Sequence, residues 1–228
     1  MRCTSVQGAQ AVKKLLRGNR AEKDCSIVRA EHANKIYQQA IVEYHVEDSI
    51  DNAPSSPYTG IDGLLYTKAW IDTVQWHLED IIRSPNLGGD LFITTKRRID
   101  KSNQERTDCV EKLDDHFLAM FANVKRNPEA RMNSETPAWL LDRMSILQLK
   151  IYHMRDQTTR KDVDAAHIAN CKEKLTILLE QEADMSLCLD QLIDDIQQGR
   201  RFMKVYRQMK MYNDPKLNPI LYGGAKST

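Results

Sequence analysis

No run of apolar residues in this chain approaches the eighteen or so that a membrane span requires, and the first thirty residues hold no continuous hydrophobic stretch of the secretory kind. Cysteines are few and unpatterned. Cys3, Cys25, Cys109, Cys171 and Cys188 are odd in number and lack Cys-x-x-Cys spacing, which argues against a disulfide framework and for reduced thiols in a cytoplasmic protein. No Gly-x-Ser-x-Gly occurs, and none of the cysteines has a histidine beside it. Gly88-Gly89 lacks the lysine and spacing of a phosphate-cradling loop, so neither nucleophilic catalysis nor P-loop chemistry finds support. Strand-like alternation of apolar and polar residues is missing too.

The formal net charge is only +1, but it is unevenly placed. Residues 1–29 carry Arg2, Lys13, Lys14, Arg17, Arg20, Lys23 and Arg29 against Glu22 and Asp24, and the remainder is mildly acidic. That balance argues against a globular nucleic-acid-binding surface. Residues 1–29 have no sustained apolar stripe, and the expectation is a disordered, dispensable basic extension or one translated from an upstream start. Val12, Leu15 and Leu16 among the basic residues make an organellar presequence the alternative. Residues 30–228 then form one domain.

Past residue 29 the periodicity is helical nearly throughout. Ala33, Ile36, Tyr37, Ala40, Ile41 and Tyr44 outline a first helix, closed by the Pro- and Ser-rich run Asp48 to Gly60. A second begins near Ile61. It is apolar over most of its circumference, with Lys68, Asp72, Gln75 and Glu79 in a narrow polar sector, and is expected to be the most buried. The third carries Ile99, Asn103, Arg106, Val110, Leu113, Phe117 and Met120 at alternating four-three spacing. Thr136 as N-cap with Pro137 starts a fourth, whose seam is Leu140, Met144, Leu147, Ile151 and Met154. The fifth keeps its spacing from Ile168 through Cys171, Leu175, Leu178, Glu182, Met185, Leu189 and Leu192 to Ile196, with Gly199 as its cap. Phe202, Met203, Tyr206 and Met209 predict a short sixth helix, and the Pro-containing end is expected to be non-helical and to strap across the bundle. The fold class is all-α: a bundle of five to six helices, several long, with an extended C-terminal strap.

Polar interruptions of these seams carry the functional expectation. Asn103 and Arg106 stand where Leu or Val should be, at a cost unless something pairs with them. The fourth helix has a second face, Trp139, Arg143, Ile146, Lys150 and His153, and Glu182 interrupts the fifth. Glu182 is expected to contact Arg106 or Arg143, with Asn103 completing the hydrogen bonding. Either the network is structural, or cations on the seams line a pocket for a phosphate- or carboxylate-bearing ligand. Arg97-Arg98-Ile99-Asp100-Lys101 is a surface charge run that can add a phosphate-binding rim. The candidate ligand-binding residues are Trp76, His77, Arg98, Asn103, Arg106, Trp139, Asp142, Arg143, Lys150 and Glu182. No catalytic residue emerges, and no metal or cofactor is assigned. Two similar pentapeptides, Tyr44-His45-Val46-Glu47-Asp48 and Trp76-His77-Leu78-Glu79-Asp80, each offer His and Asp three apart, so a metal-dependent hydrolase is the least favoured alternative. Helical di-metal bundles use Glu-x-x-His instead, and His77 lies at the edge of an apolar arc.

The segments Lys68 to Asp80, Arg97 to Asp108, Thr136 to Met154 and Tyr206 to Tyr222 resemble a family of bacterial helical proteins, the domain of unknown function 4254, over about residues 30 to 224. The resemblance implies no activity. Pro137-x-x-Leu-x-Asp142-Arg143-x-Ser-Ile-Leu147 is also similar to a stretch in helical proteins that accompany cell-surface glycosyltransferases, which implies a place near glycan assembly. Two functions go forward: binding of an anionic, sugar-linked ligand, or a non-catalytic scaffold beside a glycosyltransferase, with a homodimer through the long helices open to either. A water-filled cavity where Arg106 and Arg143 meet would favour the first, and a dry, fully paired network the second.

Overall fold

The computed structural model describes residues 27–211 and 214–223, and shows an all-α bundle. Its elements are α1 Ala30–Glu47, α2 Gly60–Ile82, α3 Gly89–Met120, β1 Arg131–Met132, α4 Pro137–Thr159, α5 Ala165–Gln197, β2 Arg201–Phe202 and α6 Pro219–Tyr222. None of these helices is long and apolar enough to cross a membrane.

The helix starts follow from local chemistry. Thr136 accepts from the Trp139 amide with Pro137 in the first turn, and Asp164 accepts from the His167 amide at the head of α5. The core is a single cluster in which Tyr37, Ala40 and Tyr44 of α1, Leu65 and Ala69 of α2, Val110, Leu113 and Phe117 of α3, Leu141 and Met144 of α4, and Leu189 and Ile193 of α5 are all buried. Cross-helix contacts give the directions. Leu64 meets Cys109 and Gln75 meets Asn103, so α2 and α3 are antiparallel. Asp72 meets Ser145 and Trp76 meets His153, so α2 and α4 are parallel, as are α1 and α4 through Tyr37 with Leu141 and His45 with Tyr152.

Several expectations are corrected. The most buried helix is α4, not α2, because α4 lies centrally and touches α1, α2, α3 and α5. Lys68 and Asp72, in the polar sector of α2, face the interior. Residues 202–209 form no helix. Gly199 at φ +68° turns the chain sharply after α5, β2 pairs in parallel with β1 (Arg131 opposite Arg201), and an extended run follows. That run is a strap: Arg207 donates to the Glu111 carbonyl, the Gln208 amide to Glu111 Oε1 and Lys210 to Thr107 Oγ1 on α3. Beyond it the chain does make one helical turn, α6, where Pro219 is tolerated in first place and Asn218 caps the Ile220 amide. Residues 1–26 of the expected extension lie outside the described residues. Val28 is buried and Arg29 donates to Asp194 at 2.7 Å, so packing begins before Ala30.

A Cβ on Gly199 would lie 2.2 Å from the Lys125 carbonyl oxygen in a backbone conformation that side chains disfavour. Gly199→Ala should therefore destabilise the fold by on the order of 2 kcal/mol or more, read as a lower melting temperature; an unchanged melt would refute the turn described here.

Candidate functional site

The third-helix stripe predicts polar groups in the interior, and the structure pairs them. Lys68 is wholly buried and donates to Asp72 one turn on, while its Nζ lies 3.0 Å from Asp142 Oδ1. Arg106 reaches from α3 and grips Asp142 with both arms, Nε to Oδ1 at 2.8 Å and Nη2 to Oδ2 at 2.5 Å; Nε lies 3.8 Å from Asp72. Ser145 Oγ donates to Asp72 Oδ2 at 2.6 Å. Burial raises both carboxyls, but the Arg106 fork and Lys68 reverse this at Asp142, holding it below the ordinary carboxylate value, whereas Asp72 stays above it. Two cations thus answer two carboxylates, joining α2, α3 and α4.

Outside this network an open cleft of about 510 Å³ lies between α3, α4 and the strap, lined by Lys96, Asn103, Arg106, Trp139, Asp142 and Lys210 among others. Four sequence-predicted residues, Asn103, Arg106, Trp139 and Asp142, meet here. The expected contact of Glu182 with an arginine is not formed. Glu182 accepts from Gln148 at 2.6 Å, and Arg143 points outward to Glu135 at 2.6 Å. Asn103 accepts from Gln75 rather than serving Glu182. Lys150 is exposed. The four-three spacing of Trp139, Arg143, Ile146, Lys150 and His153 traces a flank of α4 that faces the interior only in part. Arg106 and Arg143 therefore share neither a cavity nor a dry network.

Trp76 and His77 belong to a different site. At the end of α1, along α2 and along α4, three imidazoles converge: His45, His77 and His153 present nitrogens that all lie within 4.8 Å of one another. His45 Nδ1 donates to the Ile41 carbonyl at 2.7 Å, which makes its Nε2 an acceptor, hydrogen-bonded to His77 Nε2 at 3.2 Å. His153 Nε2 is buried without a hydrogen-bond partner. Burial, aided by the other two imidazoles, pushes His153 down to about 4, and burial lowers His45, so both are neutral at pH 7. Each ring is held by an aromatic face from another helix. Tyr44 stacks on His77 (5.3 Å between centroids, 13°), Trp76 on His153 (4.7 Å, 8°) and Tyr152 on His45 (4.4 Å, 29°).

Asp48, the residue after α1, stands at the open side of the cluster with Oδ1 3.6 Å from His77 Nε2. It is the one non-glycine residue with positive φ among the described residues, at 50°. The following loop is pinned by Arg98, which donates to the Ile50 carbonyl at 2.7 Å and pairs with Asp51 at 3.0 Å, and by Trp70, which donates to the Asn52 carbonyl. Arg98 therefore supports this loop. The pentapeptide repeat brings His45, His77 and Asp48 together, while Asp80 is exposed and takes no part.

Sequence reasoning named His45 in a His/Asp pair and His153 on a flank of the fourth helix but did not join them with His77, although a signal was present. Of six histidines, these three alone follow an aromatic residue: Tyr44-His45, Trp76-His77 and Tyr152-His153. It also passed over Cys171, whose Sγ lies 3.4 Å from Nε2 of His167, four residues earlier on the same helix face. Among the described residues, Cys109, Cys171 and Cys188 are free thiols.

The charge network yields a test by denaturant titration. Lys68→Met, which leaves two buried carboxylates short of a cation, should cost about 3–5 kcal/mol, whereas Glu182→Ala should cost only about 1 kcal/mol. The opposite ranking would show that the core does not rest on Lys68.

Among known proteins, a family model described as a protein of unknown function (DUF4254) matches residues 62–205. No curated protein and no solved structure matches the chain.

Proposed function

The chain belongs to the DUF4254 family, and we propose that it is a metal-dependent protein in which His45, His77 and His153 hold one divalent transition-metal ion. The observation that carries this reading is the convergence of three imidazoles from three helices, one with a buried and unpartnered ring nitrogen. An ion bound at about 2.0–2.1 Å in tetrahedral geometry spaces its nitrogen ligands about 3.3 Å apart, and His45 and His77 stand at 3.2 Å. The His45 bond to Ile41 is the outer support that fixes the tautomer of a ligating histidine. Neutral imidazoles suit zinc, copper, nickel and iron. Three protein nitrogens leave coordination room for an oxygen donor, and an ion so held lowers the pKa of bound water toward 7 or polarises an anionic substrate oxygen. Metal-assisted hydrolysis is the reaction class this supports.

A second reading concerns the cleft. Arg106 is committed to Asp142 there, but Lys210 donates only to neutral oxygens of Asn103 and Thr107, which favours a phosphate- or carboxylate-bearing ligand beside it. If so, Lys210→Ala should abolish the thermal shift produced by sugar phosphates, and no shift with the wild type would dismiss this reading. A scaffold role beside a glycosyltransferase is supported by the long helices but gives the buried imidazoles no task.

Titration of chelator-treated full-length protein with Zn²⁺ should show one equivalent bound by calorimetry, with stability raised by about 2.7 kcal/mol at a free metal concentration 100-fold above Kd. Co²⁺ should give visible bands of a tetrahedral nitrogen site. His153→Ala and His77→Ala should each remove binding, and hydrolysis of phosphoester or carboxylic ester probes should track metal content. Failure of the wild type to bind metal, or undiminished binding by both variants, would overturn the proposal.

A further inference from the structure

Resting on that metal reading, we infer that Asp48 is the fourth ligand, completing a set of three imidazole nitrogens and one carboxylate oxygen. Asp48 Oδ1 lies 3.6 Å from His77 Nε2, close to the ligand-to-ligand edge of about 3.3 Å that a tetrahedral ion imposes; it does not stand within 4.8 Å of all three imidazole nitrogens, so ligation requires its exposed side chain to turn further inward. Its backbone supports the same assignment. A left-handed residue closing a helix is ordinarily Gly or Asn; here an aspartate occupies the position, its amide bonded to the Tyr44 carbonyl at 2.9 Å. From this position the carboxylate meets His77 at the edge of the imidazole cluster. Arg98 and Trp70 secure the residues that follow, so the loop cannot carry Asp48 off freely.

The chemistry of the set follows. One carboxylate against a divalent ion leaves the centre with net charge +1, attractive to an anionic oxygen. The Asp48 side chain is 60 % exposed, so the ion can be approached from solvent on that side. A substrate oxygen joins as a fifth ligand, an expansion that zinc centres undergo. Asp156 is the competing carboxylate, since its charge bears on His45 from α4, but it forms neither a hydrogen bond nor an ion pair with a ring nitrogen and serves as the control.

The test compares Asp48→Asn, Asp48→Gly and Asp156→Asn with the wild type. Both Asp48 variants suit the left-handed backbone, so in the metal-free form they should melt at the wild-type temperature or above. Each should bind Zn²⁺ at least tenfold more weakly by competition with a chelating dye, and their Co²⁺ spectra should change as water replaces the carboxylate. Asp156→Asn should bind within about threefold of the wild type. Wild-type affinity and an unaltered Co²⁺ spectrum in Asp48→Asn and Asp48→Gly would overturn the assignment while leaving the three-histidine centre standing. Loss of binding in Asp156→Asn with Asp48→Asn intact would move the fourth ligand to α4. If the wild type binds no metal, the centre itself falls, and the assignment with it.

Discussion

Lys68, Asp72, Asp142 and Arg106 form the constraint on which the rest of the bundle depends. A buried carboxylate is tolerated only where a cation meets it, and these four groups, two of each sign, satisfy one another across α2, α3 and α4. An apolar contact tolerates sliding along a helix; a bidentate guanidinium does not. The network therefore sets the relative register of the three helices more sharply than the surrounding Leu, Val and Phe can.

That register places the imidazoles. His77 lies five residues beyond Asp72 and His153 eight beyond Ser145, on helices that run parallel from the Asp72–Ser145 hydrogen bond, so both travel toward the same end of the bundle. The aromatic partners then lock the rings in a closed exchange: α1 lends Tyr44 to α2, α2 lends Trp76 to α4, and α4 lends Tyr152 to α1. Each plate restrains a neighbour's ring, so removal of any one aromatic loosens a ligand on a different helix. Flat, restrained rings, one of them with an unpartnered nitrogen, suit metal binding, because little ordering is left for the ion to impose.

The same logic explains why the most conspicuous arginine is a poor candidate for ligand binding. Arg106 lines a cleft, but its fork is already filled by Asp142, and an incoming anion would have to displace that buried carboxylate, leaving it only Lys68, a cation it shares with Asp72. Interior placement of a cation signals pairing first. The histidine end of α4 and the loop after α1, where a buried ring nitrogen stands unpartnered and the backbone is left-handed at Asp48, carry more chemical information than the paired charges of the core.

Helix periodicity alone established the number and order of the long helices and, α2 apart, their inward seams, because the 3.6-residue repeat of Ile99, Val110, Leu113 and Phe117, or of Leu140, Met144, Leu147 and Ile151, is a local property that any packing must respect. The N-cap at Thr136 and the terminal turn at Gly199 were equally local. The presence of paired charges in the core was legible from Asn103 and Arg106, but the identity of their partners was not. Which carboxylate meets Arg106 depends on how α3 leans on α4, and that puts Asp142 rather than Glu182 within reach. The extended run after Gly199 escaped sequence reading because Phe202, Met203, Tyr206 and Met209 fit a helical repeat equally well, and pairing with residues 131–132 decided otherwise. The histidine centre is the clearest case. His45, His77 and His153 are separated by 32 and 76 residues of sequence, and only the parallel course of α1, α2 and α4 brings them together, since three directional ligands form a site by position and not by kind.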